Sequence, residues 1–287
     1  MRYSLLLLLG IFALATAAVA EPISDRITVT VRGQGPDVIL IPGLGCSSAV
    51  WNDTAAHLES QYCVHLVQVA GFAGAPAEAN AHGAIIVPTE EAIDAYIKTN
   101  QLKAPKIIGH SLGGLMGLIL AMRHPEDVDK LMIVDSLPFY GILTGATNSA
   151  SAAPQAAMMR DSILAESQDY FAKIQTQFMR SLVKSPAGRQ EVIGWAVISD
   201  KSVVARAFYE DAIADLRPKL PVIKTPITLL YPWDPLSGFP QDATDKLYQD
   251  NFAPLPNKTL IRIDGSFHFI MLDQPGAFEA QVDKFLK

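Results

Sequence analysis

The sharpest chemical signal in the chain is the run Gly109-His110-Ser111-Leu112-Gly113. A serine hydroxyl becomes a strong nucleophile only when a neighbouring base takes its proton, so it must be held where an imidazole can reach it. A strand that runs into a very tight turn and then a helix presents a serine in that way. The glycines two residues before and after it remove Cβ atoms that would collide in the turn. The flanking residues agree. Lys106-Ile107-Ile108 reads as a strand, and Leu112 to Met122 reads as a helix.

The base must be one of six histidines. His110 lies inside the turn and is too constrained to serve its neighbour. His57, His65, His82 and His124 fall on helix, strand or surface positions with no matching motif. His268, in Gly265-Ser266-Phe267-His268-Phe269, follows the last strand and alone completes a Ser…Asp…His order. Two acids satisfy that order, Asp135 at the end of Leu131–Asp135 and Asp234 in Tyr231-Pro232-Trp233-Asp234-Pro235. Either could orient an imidazole. Asp273 reads as a cap of the last helix. An acyl transfer also needs backbone N–H groups aimed at the developing oxyanion. Leu112, directly after the serine, supplies one. Leu44, between Gly43 and Gly45 at the end of an earlier strand, supplies the other.

These residues need a scaffold that gathers strand ends. The chain alternates strand and helix from Arg26 to Asp135: strands at Arg26–Arg32, Asp37–Pro42, Cys63–Val69, Pro105–Ile108 and Leu131–Asp135. Continuous apolar runs such as Asp37–Pro42 suit a buried parallel strand. The rhythm stops over Leu137–Leu220, which is helical in pattern, and resumes with strands at Thr225–Tyr231 and Thr259–Ile263. The expected fold class is α/β: a mostly parallel sheet flanked by helices. The expected domains are a core of residues 21–136 and 221–287, with a helical cap over 137–220.

In order and spacing, PGLG at Pro42–Gly45, GHSLGG at Gly109–Gly114, the Asp234 loop and FHFIMLDQP at Phe267–Pro275 resemble the α/β-hydrolase superfamily. Within it, the chain looks like the esterase- and lipase-like serine hydrolases with a helical cap. The resemblance runs from about Arg26 to the end. It implies a carboxylic ester hydrolase working through an acyl-enzyme on Ser111, with His268 as base and no cofactor or metal. Lactonase or amidase chemistry on the same triad is the alternative, and a non-catalytic binding protein on this fold is the remoter one. An acid followed by proline after the penultimate strand is the pattern of the resemblance. With the loop freedom expected from Pro232, Pro235 and Gly238, it assigns the acid to Asp234 over Asp135. Related enzymes with other chemistries place an aspartate where this chain has Ser111. Many relatives have a His-Gly pair where this chain has Pro42-Gly43.

The remaining features bound the setting. Of 287 residues, 49% are hydrophobic and the net charge is −6, with no basic block, which excludes nucleic acid as a partner. Arg2, the apolar stretch from Leu5 and the small residues Ala18-Val19-Ala20 form a secretory signal with cleavage expected after Ala20, which predicts a periplasmic or secreted protein. No later segment is apolar enough to span a bilayer. Of the two cysteines, Cys46 follows one strand and Cys63 begins the next. An intervening helix of ~10 residues covers ~15 Å, so both thiols are expected to be free. Tyr170, Phe171, Ile174, Phe178 and Leu182 in the cap suggest an apolar group on a small acyl substrate. No HExxH, CxxC or phosphate-loop motif is present.

Overall fold

The computed structural model describes residues 24–287. The expected signal segment lies outside them. Seven strands form one sheet: β1 (Ile27–Arg32), β2 (Asp37–Ile41), β3 (Cys63–Val69), β4 (Lys106–His110), β5 (Leu131–Val134), β6 (Ile227–Trp233) and β7 (Lys258–Asp264), in the order β1-β3-β2-β4-β5-β6-β7. Only β1 is antiparallel to its neighbour; it alternates buried and exposed residues in its first half, as an edge strand does. The central strands are buried on both faces, which is why β2, β4 and β5 read as unbroken apolar runs.

Helices cover both faces: α1 (Asn52–Leu58), α2 (Ile86–Thr99), α3 (Leu112–Arg123), and, after the cap, α8 (Gln241–Phe252), the single turn α9 (Ile270–Asp273) and α10 (Pro275–Leu286). One apolar layer joins Ile39, Ile41, Val67 and Ile107 to α2 and α3, and the opposite layer joins Val38, Leu40, Ile108 and Val134 to Trp51 and α10. The alternation of neighbouring residues between two layers follows from the two-residue period of a strand. The α/β class expected from the sequence is the observed one.

Between β5 and β6 the chain forms four helices and no strand: α4 (Ser149–Ala165), α5 (Gln168–Leu182), α6 (Pro186–Val197) and α7 (Lys201–Ile213). Their starts are set locally. Asn148, Ser167, Ser185 and Asp200 each cap the next helix with a side-chain oxygen on a free amide. Two carboxylates tie this cap to the core. Glu210 of α7 accepts from the Ile85 and Ile86 amides at 2.8–3.1 Å. Asp273 accepts from the Lys184 and Ser185 amides at 2.8–3.1 Å and from the Phe267 amide at 2.9 Å. Asp273 is therefore a clasp between cap and core, and the last helix is flanked instead by Gln274, which makes no side-chain cap bond.

Cys46 and Cys63 are both free thiols, as expected. Cys63 pairs in register with Asp37 at the amino edge of the sheet, whereas Cys46 follows the carboxyl end of β2. Among the described residues no helix is long and apolar enough to cross a membrane.

Candidate active site

The parallel register brings several strand ends to one edge. Ile41 of β2 lies beside Gly109 of β4, His110 beside Val134 of β5, and Val134 beside Leu230 of β6. The residues just past these ends are Leu44, Ser111, Asp135 and Asp234. The motifs picked out in the sequence thus converge on the carboxyl edge of the sheet, where open α/β sheets build their sites.

Ser111 stands between β4 and α3 with φ 53° and ψ −121°, a left-handed backbone that L-residues rarely adopt. The turn is locked by its surroundings. A Cβ on Gly109 would lie 2.3 Å from the Gly113 carbonyl oxygen, and one on Gly113 would lie 2.3 Å from that of Ile41. The Ser111 amide donates to the Val134 carbonyl at 2.9 Å, fixing the turn to β5. The loop after β2 rests on this turn, since a Cβ on Gly43 would come within 3.1 Å of the Ser111 Cβ. Neither the Leu44 nor the Leu112 amide donates to a protein acceptor among the described residues. The two expected oxyanion donors are thus uncommitted, one beside the serine and one in the loop that touches it.

His268 Nδ1 meets Asp135 Oδ2 at 2.6 Å. The imidazole therefore pairs with Asp135 and not, as expected, with Asp234. β6 does not end at Tyr231 but continues through Pro232 and Trp233, which pair with Ile263 and Asp264. Asp234 therefore has no free loop in which to turn. Its carboxylate, 2% exposed, is held by Lys184 Nζ at 2.5 Å and caps the Leu236 amide at 2.8 Å. The Lys184 bond keeps its pKa below the usual carboxylate value. Asp135 reaches the imidazole from the very end of its strand because its own backbone is left-handed, with φ 50°. Its second oxygen accepts a short hydrogen bond from the Tyr248 hydroxyl. Tyr248 is buried in α8 and stacks on Tyr231 at 4.5 Å, and burial holds its pKa far above the ordinary value. It stays a donor.

Three further titratable groups stand around these residues, and, His110 aside, no motif in the sequence pointed to their position. His110, fully buried, approaches the His268 carbonyl with Nε2 at 3.1 Å, so this nitrogen carries the proton. Burial, reinforced by His268, keeps its pKa well below the ordinary value, so it is neutral. Its place directly before Ser111 in the motif was the available signal. Asp211 on α7 faces the site from the cap. Burial pushes its pKa up to about 7, and His268 pulls against that rise. Tyr140 lies near Asp211, and its pKa is raised by burial and then by that carboxylate. No motif marks either. Of the aromatic stripe in α5, Phe171 packs inward, while Tyr170, Ile174 and Phe178 are exposed.

The family described as the alpha/beta hydrolase fold matches residues 36–184. The chain is 30% identical over 216 residues to a pimeloyl-[acyl-carrier protein] methyl ester esterase of Vibrio atlanticus, covering 72% of this chain and 80% of that protein. Among solved structures, an esterase from Exiguobacterium antarcticum superposes with a TM-score of 0.75 at 17% identity, covering 91% of this chain and 95% of that one. The enol-lactonase from Burkholderia xenovorans superposes with a TM-score of 0.72 at 19% identity, covering 91% and 96%. With its seven-stranded sheet, its strained serine turn and a matched segment that spans more than half its length, this chain belongs to the α/β-hydrolase fold family.

Proposed function

We propose that this chain is an exported serine esterase in which Ser111, His268 and Asp135 form the catalytic triad and the Leu44 and Leu112 amides form the oxyanion hole. The observation that carries the reading is the 2.6 Å contact between His268 Nδ1 and Asp135 Oδ2 beside the strained Ser111 turn. That contact fixes the tautomer with Nε2 free to accept the serine proton.

The reaction then runs as two acyl transfers. The Ser111 Oγ–H bond breaks as the proton passes to His268 Nε2, and Oγ bonds to the ester carbonyl carbon. The carbonyl oxygen gains the negative charge, which the two amides receive. Collapse expels the alkoxide, which takes the proton from Nε2 and leaves an acyl-Ser111. Water repeats the sequence and releases the acid. Asp135 stabilises the imidazolium at each stage.

The methyl ester named for the Vibrio relative supports an ester of a small alcohol. The acyl carrier protein in that name does not transfer readily, because the Arg2–Ala20 leader would take this chain out of the compartment where acyl carriers are used. The acyl side is expected to be apolar. A lactone is a cyclic ester and can follow the same steps. The test is a fluorophosphonate label followed by a panel of p-nitrophenyl esters, lactones and anilides. One label on Ser111 with ester turnover is expected. An unlabelled, inert protein would leave only a binding role for this fold.

A further inference from the structure

Where α2 meets the end of α3, buried polar atoms without hydrogen-bond partners collect in one place. Of ten such side-chain atoms among the described residues, five belong to this cluster: both carboxylate oxygens of Glu90, Asp94 Oδ1, His124 Nε2 and Asp127 Oδ2. Glu90 is 0% exposed and Asp94 is 8% exposed. An unpaired buried acceptor loses its hydration without return, so native proteins rarely leave several together.

The sequence folds to gather them. Glu90 and Asp94 are four apart on α2 and share one face. His124 directly follows α3, and Asp127 ends the short turn Pro125–Asp127. His124 Nδ1 lies 3.7 Å from Asp94 Oδ1, and Nε2 lies 3.8 Å from Glu90 Oε1. Both separations are too long for hydrogen bonds. The first suits two ligands of one small ion, and Asp94, His124 and Asp127 each offer an atom within 4.8 Å of the others; the second closes to a hydrogen bond with a small shift of the ring. Two cations already approach. Lys98 Nζ bonds Asp94 Oδ2 at 2.8 Å and lies 3.5 Å from Asp127 Oδ2, and Arg123 lies 3.4 Å from Glu90 and bonds Glu91 at 2.6 Å. Each forms an ion pair with one of the five atoms, Lys98 with Asp127 Oδ2 and Arg123 with Glu90 Oε2, but hydrogen-bonds none of them, and both are partly exposed.

We propose that Asp94 Oδ1, Asp127 Oδ2 and His124 Nδ1 bind one divalent metal ion of the zinc class, with Glu90 accepting the proton of His124 Nε2 from behind the ring. Mixed carboxylate and imidazole donors suit Zn²⁺, and water completes the tetrahedron. A carboxylate on the far nitrogen of a ligating histidine fixes its tautomer, which gives the buried Glu90 a function. Lys98 keeps Asp94 Oδ2 and yields its longer approach to Asp127. α3 has twelve residues, so the ion would sit ~18 Å of helix rise from Ser111. It would pin α3 to α2 and take no part in ester cleavage.

The experiment is calorimetric titration of chelator-treated full-length protein with ZnCl₂, alongside thermal melts. One ion per chain is expected, with Tm rising by about 5 °C or more at saturation and kcat unchanged. Asp127→Asn and His124→Ala should each abolish the rise, and Glu90→Gln should weaken binding about 10- to 100-fold. Lys98→Met should keep the ion. Cys63→Ser should also keep it, which separates this site from the Asp37, Cys63 and His65 group. Absence of stoichiometric binding, or binding that survives Asp127→Asn and is lost in Cys63→Ser, would overturn the proposal.

Discussion

Asp135 and His268, 133 positions apart in the chain, meet at 2.6 Å because β5 lies directly beside the strand that carries Ser111. The acid needs no loop to travel. A left-handed backbone at the strand's last step turns the carboxylate over the sheet edge, and Tyr248 holds its other oxygen. The carboxylate, the imidazole and the hydroxyl of this chain of contacts thus come from the end of β5, the loop after β7, and α8.

Tyr248→Phe should lower kcat by about tenfold, the order of one hydrogen bond to a charged group, with KM nearly unchanged. Steady-state kinetics on one ester checks this. A KM effect with full kcat would mean that Tyr248 shapes the pocket and does not hold Asp135.

Lys184→Met should destabilise the protein while leaving the chemistry largely intact. It strands the buried Asp234 carboxylate, which keeps only the Leu236 amide. A loss of about 1–3 kcal/mol is expected, because the lysine itself is partly exposed. Asp234 has a depressed folded pKa, so the stability it contributes is present above its unfolded value and fades as pH falls below that value. The variant should therefore show a shallower acid-unfolding limb than the parent in denaturant melts between pH 2 and 5.

Asp211→Asn should raise Tm more at pH 8 than at pH 5. The folded pKa of Asp211 is raised, to about 7, so the folded state holds a proton that the unfolded chain has lost, and stability falls as pH climbs from the unfolded value toward 7. Removing the charge removes that decline. A Tm difference independent of pH would place Asp211 in contact with solvent.

Much of this was legible in the chain because it depends on local geometry. The Gly109–Gly113 spacing permits one kind of turn, and the unbroken apolar runs at Asp37–Ile41 and Leu131–Val134 require strands buried on both faces. The pairing of His268 with Asp135 was not legible, for a non-local reason. Pro232 suggested that the strand had ended, yet proline is tolerated there because β5 stops at Val134 and leaves its missing N–H without a partner to serve. Tyr248, Asp211 and Lys184 carry no sequence signal at all. Their roles come from how α8, α7 and the cap pack over the sheet edge.

The most direct measurement is kcat for Asp135→Asn and Asp234→Asn on the same p-nitrophenyl ester, with folding checked by circular dichroism. An asparagine at the triad position keeps the shape but presents the wrong partner to Nδ1, which in other serine triads costs on the order of 10⁴-fold. Asp135→Asn should show a loss of that order, and Asp234→Asn should stay within about tenfold of the parent with a lower Tm. If Asp234→Asn is the inactive variant and Asp135→Asn turns over ester normally, the 2.6 Å contact is not the catalytic one and the triad described above is wrong.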